Sequence, residues 1–281
     1  MISHRCIRLA ISIFISLLAP LCVVRTATSQ AIDPTELSDP IHPVHAKPAI
    51  LLGPRLGVNR DYHSGGFATI EGANCPKFTS GSGWGMLLGL TAEFSGGKSW
   101  SIVPALTYES RPGNFREALP DVQVLLNDVA VTQSVSATSD ISYRILSAEV
   151  LYKQEIWTPT ATFRASVAAG PVGSYVVGVQ NSQYQDLEQP ANARFINPDP
   201  THFTLAGNGR RLVYGANVNV PGRNAFRFAL KAGVQLEVGL FNNGIIMYPG
   251  LFYDLGLTDV TSSENWGLNS ILFQVDFRRA F

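Results

Sequence analysis

The stretch LNSILFQVDFRRAF, residues 268–281, decides the fold because apolar and polar side chains alternate along it up to a terminal phenylalanine. Successive side chains of a β-strand point to opposite faces, so this period of two predicts one apolar and one polar surface. The apolar face holds Ile271, Phe273, Val275, Phe277 and Phe281, and the polar face holds Ser270, Gln274, Asp276 and Arg278. A strand of this kind makes membrane location the first question.

The amino-terminus predicts export. Arg5 and Arg8 form a basic start, residues 11–24 are an apolar run too short and interrupted for a membrane span, and small residues follow. We predict a signal peptide over residues 1–29, with cleavage after Ser29 or, alternatively, after Ala31. The proline-rich residues 30–48 are predicted to be a periplasmic lead-in.

Composition excludes several classes of protein. The predicted cleavage removes three arginines from 21 basic residues and none of the 21 acidic ones, so the mature chain is mildly acidic and does not suggest nucleic-acid binding. Only Cys75 remains of the three cysteines, which rules out an internal disulfide framework. Charged residues make up 15% of the chain, against roughly 25% in soluble domains. No later segment could form a transmembrane helix, so a chain that spans a bilayer has to do so as a closed barrel.

The same alternation recurs along the chain and predicts eight strands. It is cleanest from Phe226 to Leu240, where the even positions are apolar and the odd ones include Arg227, Lys231 and Glu237. The eight predicted strands lie within residues 50–59, 84–94, 100–109, 146–153, 163–170, 226–240, 245–257 and 268–281. The fold class predicted for residues 49–281 is therefore all-β, an eight-stranded antiparallel up-and-down transmembrane β-barrel.

The connections differ in length in a regular order. Those near residues 95–99, 156–160 and 241–244 are short, and those near 61–83, 110–140, 180–224 and 258–268 are long. Outer-membrane barrels have short periplasmic turns and long extracellular loops, and this order places both ends of the barrel on the short-turn side. Residues 122–136 and 212–220 have strand character of their own. They are either extracellular extensions or extra strands that make ten.

The polar faces of the predicted strands carry six charges of each sign. They are Arg55, Lys153, Arg164, Arg227, Lys231 and Arg278, and Glu93, Glu109, Glu149, Glu237, Asp254 and Asp276. An eight-stranded barrel has room inside only for side chains, and buried charges persist when they are paired. We therefore predict a plugged, ion-paired lumen without an open pore. The alternative is a soluble barrel whose polar face is outside.

Aromatic residues at the predicted strand ends agree with two interfacial girdles. Phe94, Trp100, Tyr152, Trp157, Phe241 and Phe281 fall at the periplasmic ends, and Trp84, Tyr108, Phe226 and Phe228 at the outer ends. Chance is the alternative explanation, since strand ends are numerous.

Three short motifs carry a family resemblance: 56–59 (LGVN), 74–78 (NCPKF) and 253–258 (YDLGLT), in this order along the chain. With these motifs the chain resembles the PorT-like outer-membrane β-barrel proteins. The resemblance implies an outer-membrane location among lipid, insertion by the barrel-assembly machinery, and Phe281 as the assembly terminus. Arg279 stands where an apolar or aromatic residue is usual in the family. We expect a barrel of this family without a peptidoglycan-binding domain.

The sequence predicts no catalytic, cofactor or metal site. Asp61, His63 and Ser64 cluster at the outer end of the first strand, but adjacent residues of a strand point to opposite faces. His42 and His45 lie in the proline-rich lead-in, where we expect no metal. The leading hypothesis is a non-enzymatic scaffold for extracellular loops. A small-solute channel and a lipid-modifying enzyme are the alternatives, and the ligand or partner of the loops is left open.

Overall fold

The computed structural model describes residues 50–67, 77–97, 99–160, 163–187, 190, 192–196, 204–239 and 245–280. The predicted signal peptide and lead-in, the two histidines of the lead-in, Cys75, Phe241 and Phe281 all lie outside these residues. No helix within the described ranges is long and apolar enough to cross a membrane.

Nearly all of the described chain is β-strand. The strands are β1 (Ile50–Phe67), β2 (Phe78–Ser95), β3 (Trp100–Ser110), β4 (Gly113–Leu126), β5 (Val129–Thr160), β6 (Phe163–Leu187), β7 (Ala193–Phe195), β8 (Thr204–Ala206), β9 (Arg211–Asn219), β10 (Phe226–Gly239), β11 (Ile245–Gly256) and β12 (Asn265–Ala280).

Eight of the described strands close into a ring, in the order β1, β2, β3, β5, β6, β10, β11 and β12, and every neighbouring pair is antiparallel. The first strand pairs with the last, for example Arg55 with Asp276, and β5 pairs with β6 to complete the circle. Closure removes the two free edges that an open sheet would expose. The predicted all-β, eight-stranded antiparallel barrel is therefore confirmed.

Two of the predicted long loops are largely strand. After a break at Arg111 and Pro112, β4 continues the direction of β3 and pairs with the outer half of β5. Asn127 and Asp128 close this hairpin, both at positive φ (51° and 65°), as a two-residue turn between twisted strands requires. In the same way β9 pairs with the outer half of β6. Residues 122–136 and 212–220 thus lie in extensions of ring strands, and the ring stays at eight within the described chain.

The part beyond the ring, formed by β4, the outer halves of β5 and β6, and β7 to β9, is called the extension here. It has a small core of its own, which explains why the long connections of the sequence analysis form sheet, including the two stretches to which it gave strand character. The buried side chains of this core are Val124, Val135, Leu187, Ala193, Phe195 and Leu212.

Burial alternates along the ring strands as the period of two predicts. In β10, Arg227 and Lys231 are buried at 1% and 2% exposure, while Phe226 and Phe228 are 57% and 55% exposed. A soluble monomer rarely leaves so many large apolar side chains outside, whereas a lipid-facing wall needs them. Apolar side chains therefore cover the outside of the ring. The inside is filled by charged and polar side chains together with a buried apolar cluster of Leu87, Val103, Leu151, Ala168, Phe252 and Leu272.

The exposed aromatic residues lie near the two ends of the ring. Trp100, Tyr152 and Trp157 are exposed at the end with the short turns, and Trp84, Tyr108, Phe226 and Phe228 toward the end that carries the extension. Phe94 is half-buried. This placement agrees with the two girdles predicted from the sequence.

Candidate functional site

The lumen holds a network of buried ion pairs, which we describe as three layers along the barrel. In the layer nearest the short turns, Glu93 accepts hydrogen bonds from Lys153 Nζ at 3.0 and 3.1 Å and pairs with Arg278. Both cations also lie against the ring of Tyr248, with Lys153 Nζ and Arg278 Cζ each 4.4 Å from its centroid. One carboxylate and one aromatic face therefore hold two cations side by side.

The middle layer is centred on Arg55, whose side chain is fully buried. Its guanidinium binds Asp276 through two parallel hydrogen bonds of 2.7 and 3.0 Å, and its third nitrogen pairs with Glu149. Lys231 completes this layer, because its Nζ donates to Glu149 at 2.7 Å and to Gln274 at 2.8 Å. Arg278 also pairs with Asp276 and so joins the first layer to the second.

The outer layer is centred on Arg111. Its guanidinium donates to Glu109 at 2.6 and 2.9 Å, to Asp254 at 3.1 Å and to Ser270 at 2.7 Å. Arg227 pairs with the other oxygen of Asp254. These bonds join residues from β3, β10, β11 and β12, so they tie opposite walls of the barrel together.

Eleven of the twelve charges predicted for the lumen are buried side chains of the ring interior. The twelfth, Arg164, is half-buried at the short-turn end, 3.5 Å from Glu155 and 3.9 Å from Glu237. The sequence analysis missed two further members, Arg111 and Asp61. Both continue the inward odd-numbered positions of their strands, so extending the alternation two residues past Glu109 and Asn59 would have found them.

Above the outer charge layer, an apolar cluster fills the ring where the extension begins. This group, called the cap, consists of Phe78, Phe115, Ala137, Ile141, Tyr143, Ile145, Val176, Val179, Val220, Val260, Trp266 and Leu268, all buried. It separates the charge layers from the extension.

The structure does not bring Asp61, His63 and Ser64 together. Asp61 faces inward, where Asn59 donates to it at 2.6 Å and Ser270 also binds it. His63 Nδ1 accepts a hydrogen bond of 3.1 Å from Trp266, which leaves Nε2 to donate to the Pro112 carbonyl at 3.2 Å. Ser64 is exposed on the opposite face. In the described chain no hydrogen bond joins the three.

The extension carries an open cleft. This cleft has a volume of about 870 Å³ and is lined in part by Arg194, Phe195 and Arg210. Beside it Arg211 binds Asp186 through bonds of 2.7 and 3.0 Å. The cleft is a mixed polar and apolar surface on the extension.

A second polar contact orders the wall of the extension. The Tyr184 hydroxyl donates to Asp140 at 3.0 Å, and the guanidinium of Arg211 lies 4.1 Å from the centroid of its ring. Partial burial and this hydrogen bond raise the pKa of Tyr184 above its usual value.

Comparison with known proteins identifies no family. No family model matches the chain, and no curated protein matches it in sequence. Among solved structures it is similar to Neisserial surface protein A (9% identity, 83% of this chain and 97% of that chain, TM-score 0.38). It is also similar to OprG from Pseudomonas aeruginosa (13%, 85% and 99%, TM-score 0.39) and to the attachment invasion locus protein Ail of Yersinia pestis (7%, 81% and 97%, TM-score 0.29). Identities and TM-scores this low support no inference about the function of this chain. Its fold is established from its own strand pairing.

Proposed function

We propose that this chain is an integral outer-membrane protein whose lumen is closed and whose extension serves as a surface scaffold for interaction outside the cell. The observation that carries the proposal is the continuous set of three charge layers and the cap, which join opposite walls across the whole ring. The proposed role is structural and interactive, without catalysis. The separation of Asp61 and His63 from Ser64 on opposite faces of β1 supports this part of the proposal.

The energetics of the lumen favour a plug over a pore. Removing one partner of a buried ion pair costs about 3–5 kcal/mol, and a path for solutes would require several such pairs to separate together. Arg55 binds carboxylates from β5 and β12, and Arg111 binds carboxylates from β3 and β11. Neither side chain can therefore move aside without separating from two carboxylates. Thermal opening of a water-filled path is therefore expected to be rare.

The direction of the barrel follows from its ends. Short turns face the periplasm in outer-membrane barrels, which places the extension outside the cell. In β5, the 15 residues from Val129 to Tyr143 lie outward of Arg144, and this is about 50 Å of strand at ~3.3 Å per residue. These 15 residues alone are more than the ~10 that a strand needs to span a bilayer. The extension thus supplies a broad, ordered surface beyond the lipid headgroups.

Planar-bilayer recording tests the closed lumen. The refolded protein is expected to give no steady single-channel conductance, and a variant with Arg111→Ala should conduct more than wild type because it removes the centre of the outer layer. Heating the sample before electrophoresis serves as the control for folding, since an inserted barrel changes mobility on boiling. Regular conductance steps from the folded wild type would replace the scaffold proposal with the small-solute channel.

Labelling on whole cells tests the location and direction. In a Cys75→Ser background, a membrane-impermeant maleimide should react with Asn127→Cys at the tip of the β4–β5 hairpin. It should not react with Thr158→Cys near the short turn between β5 and β6. Reaction of the second variant alone would reverse the proposed direction, and reaction of neither in an outer-membrane fraction would argue against surface exposure.

Membership of the PorT-like family and insertion by the barrel-assembly machinery stay part of this proposal. Both depend on the three short motifs, of which the described residues include 56–59 and 253–258 within β1 and around the end of β11. Depletion of the assembly machinery should lower the amount of heat-modifiable protein in the outer membrane. Unchanged insertion after depletion would remove this partner.

A further inference from the structure

Two arginines converge on the outside of the barrel at the base of the extension. Arg144 lies on β5, and Arg223 lies in the connection between β9 and β10. Measured from the point where a Cβ on Gly178 would stand, Arg144 Nη2 is 3.7 Å away and Arg223 Nη1 is 3.9 Å away. Across the described chain, neither arginine forms an ion pair with a carboxylate. Two like charges are therefore held close together without a counter-charge.

A β-bulge creates the space between these two side chains. Along the β5–β6 pairing, Arg144 is opposite Gly178 while Ile145 is opposite Val176, so Val177 has no partner and lies exposed. Bulges occur at barrel rims and re-aim the residues around them. Here the bulge turns Gly178 toward the outside beside Arg144. Gly178 is itself buried, and among the described residues beyond its chain neighbours only the two guanidinium groups lie within 4 Å of the point where its Cβ would stand, so the absent side chain leaves a small space between them.

Some of the donors around this gap lack acceptors in the described structure. Arg144 donates from Nη2 to Gln180 at 3.1 Å, but its Nε is buried without a hydrogen-bond partner in the described structure. The side chain of Arg223 likewise makes no hydrogen bond to the residues described. A buried guanidinium donor without an acceptor is unfavourable, and phosphate is an anion whose several oxygens match the donors of a pair of arginines. The chemistry of the gap therefore suits a phosphate group.

The height of the gap on the barrel identifies the source of that phosphate. The next outward-facing residue of β5 below Arg144 is Leu146, which pairs with Tyr108 on one side and Tyr175 on the other. Tyr175 packs edge-on against Phe226 at 5.7 Å. Aromatic residues of this kind mark the interface between acyl chains and headgroups, and a step of two residues outward is about 7 Å. Arg144 thus lies at the depth of lipid headgroups.

We propose that Arg144 and Arg223 form a binding site for the phosphate group of an anionic lipid in the outer leaflet. The site rests on the proposed function in one respect, that the barrel spans the outer membrane with the extension outside. A bound phosphate would neutralise the two arginines and connect β5, β6 and the β9–β10 connection at the rim. Free phosphate has the same chemistry, so the test separates the two sources.

Native mass spectrometry of the full-length protein tests this site, with a diphosphorylated lipid A as the probe. The matched control lipid has the same acyl chains without phosphates. Wild type should retain the phosphorylated lipid, should bind the control lipid at least about tenfold more weakly, and should not release the lipid to millimolar inorganic phosphate. Equal binding of the two lipids, or full release by inorganic phosphate, would overturn the proposal.

Three variants connect the result to the residues. The double variant Arg144→Gln with Arg223→Gln should weaken lipid binding about tenfold or more, since it removes charge-assisted hydrogen bonds. Gly178→Ala keeps both charges and places a methyl group at ordinary contact distance in the gap, so it should weaken binding while the barrel still folds. Arg194→Gln, an exposed arginine of the extension, is the charge-matched control and should bind as wild type.

Unchanged binding by the double variant would refute the site. Heat-modifiable mobility is measured on every sample to separate the two proposals. A wild type that shows no heat-modifiable form in lipid would refute the membrane barrel itself, whereas a folded, inserted wild type without selective lipid retention refutes only the phosphate site.

Discussion

Replacing Arg55 with methionine (Arg55→Met) removes the central cation of the lumen while keeping an unbranched side chain of similar length. The change deletes two bonds to Asp276, at 2.7 and 3.0 Å, and the pairing with Glu149. Neither carboxylate is left wholly without a cation, because Asp276 keeps Arg278 and Glu149 keeps Lys231. The loss of unfolding free energy should therefore fall at the lower end of the range for a broken buried pair, about 3 kcal/mol.

The extension offers a matched control for this prediction. Arg211 binds Asp186 at the same two distances, 2.7 and 3.0 Å, but these side chains are 45% and 29% exposed, against 0% for Arg55 and Asp276. Exposed pairs contribute about 0–1 kcal/mol because water and salt screen them. Arg211→Met should therefore cost at most about 1 kcal/mol, although the contact geometry is the same.

A double variant isolates the pairing from the loss of packing. In Arg55→Met with Asp276→Asn, Glu149 still pairs with Lys231 and Arg278 still pairs with Glu93. We expect the double variant to be about as stable as either single variant, which corresponds to a coupling energy of about 2 kcal/mol or more.

The assay is urea unfolding of the protein refolded in lipid vesicles, followed by tryptophan fluorescence and by gel mobility of unheated samples. The interpretation of the lumen as a coupled, buried network would be refuted by two results. One is an Arg55→Met loss as small as that of Arg211→Met. The other is single losses that add within about 0.5 kcal/mol in the double variant, as independent sites do.

Two further predictions concern the closure of the ring and the extension. In Gly53→Ala the new methyl group would overlap the backbone carbonyl of Phe277 across the β1–β12 pairing, so the heat-modifiable form of the barrel should be lost. Gly66→Ala is the control: there is open space around the new Cβ, and this variant should fold as wild type. Because partial burial and the bond to Asp140 raise the pKa of Tyr184 above its usual value near 10, that bond stabilises the extension fully below pH 10 and is lost as the pH rises through the folded-state pKa. Protease sensitivity of the extension should therefore increase above pH 10 in wild type, and Tyr184→Phe should abolish this pH dependence; an unchanged profile in the variant would assign the effect to other groups.

Sequence alone predicted the ring because alternation is a local property. Each side chain of β10 or β12 points in or out according to its own position in the strand, so Lys231 and Phe273 could be assigned to opposite faces without knowledge of their neighbours. For the extension, the sequence indicated strand character only in residues 122–136 and 212–220, and it left open whether these extend the ring strands or add two more. The strands of the extension have weaker alternation, and they are held by a small core whose members Val124, Leu187 and Leu212 are far apart in the chain.

What the sequence determined by itself is the strand pattern, the faces of the strands and the balance of charge inside, since these depend on the order of residues over a few positions. Only the tertiary structure decided which charges pair, because the partners of Arg55 lie 94 and 221 residues away and are set by strand register around a closed ring. The same holds for the site at Gly178. A bulge of one residue in β6 and a connection more than forty residues later bring Arg144 and Arg223 close to Gly178. No local sequence pattern predicts this contact.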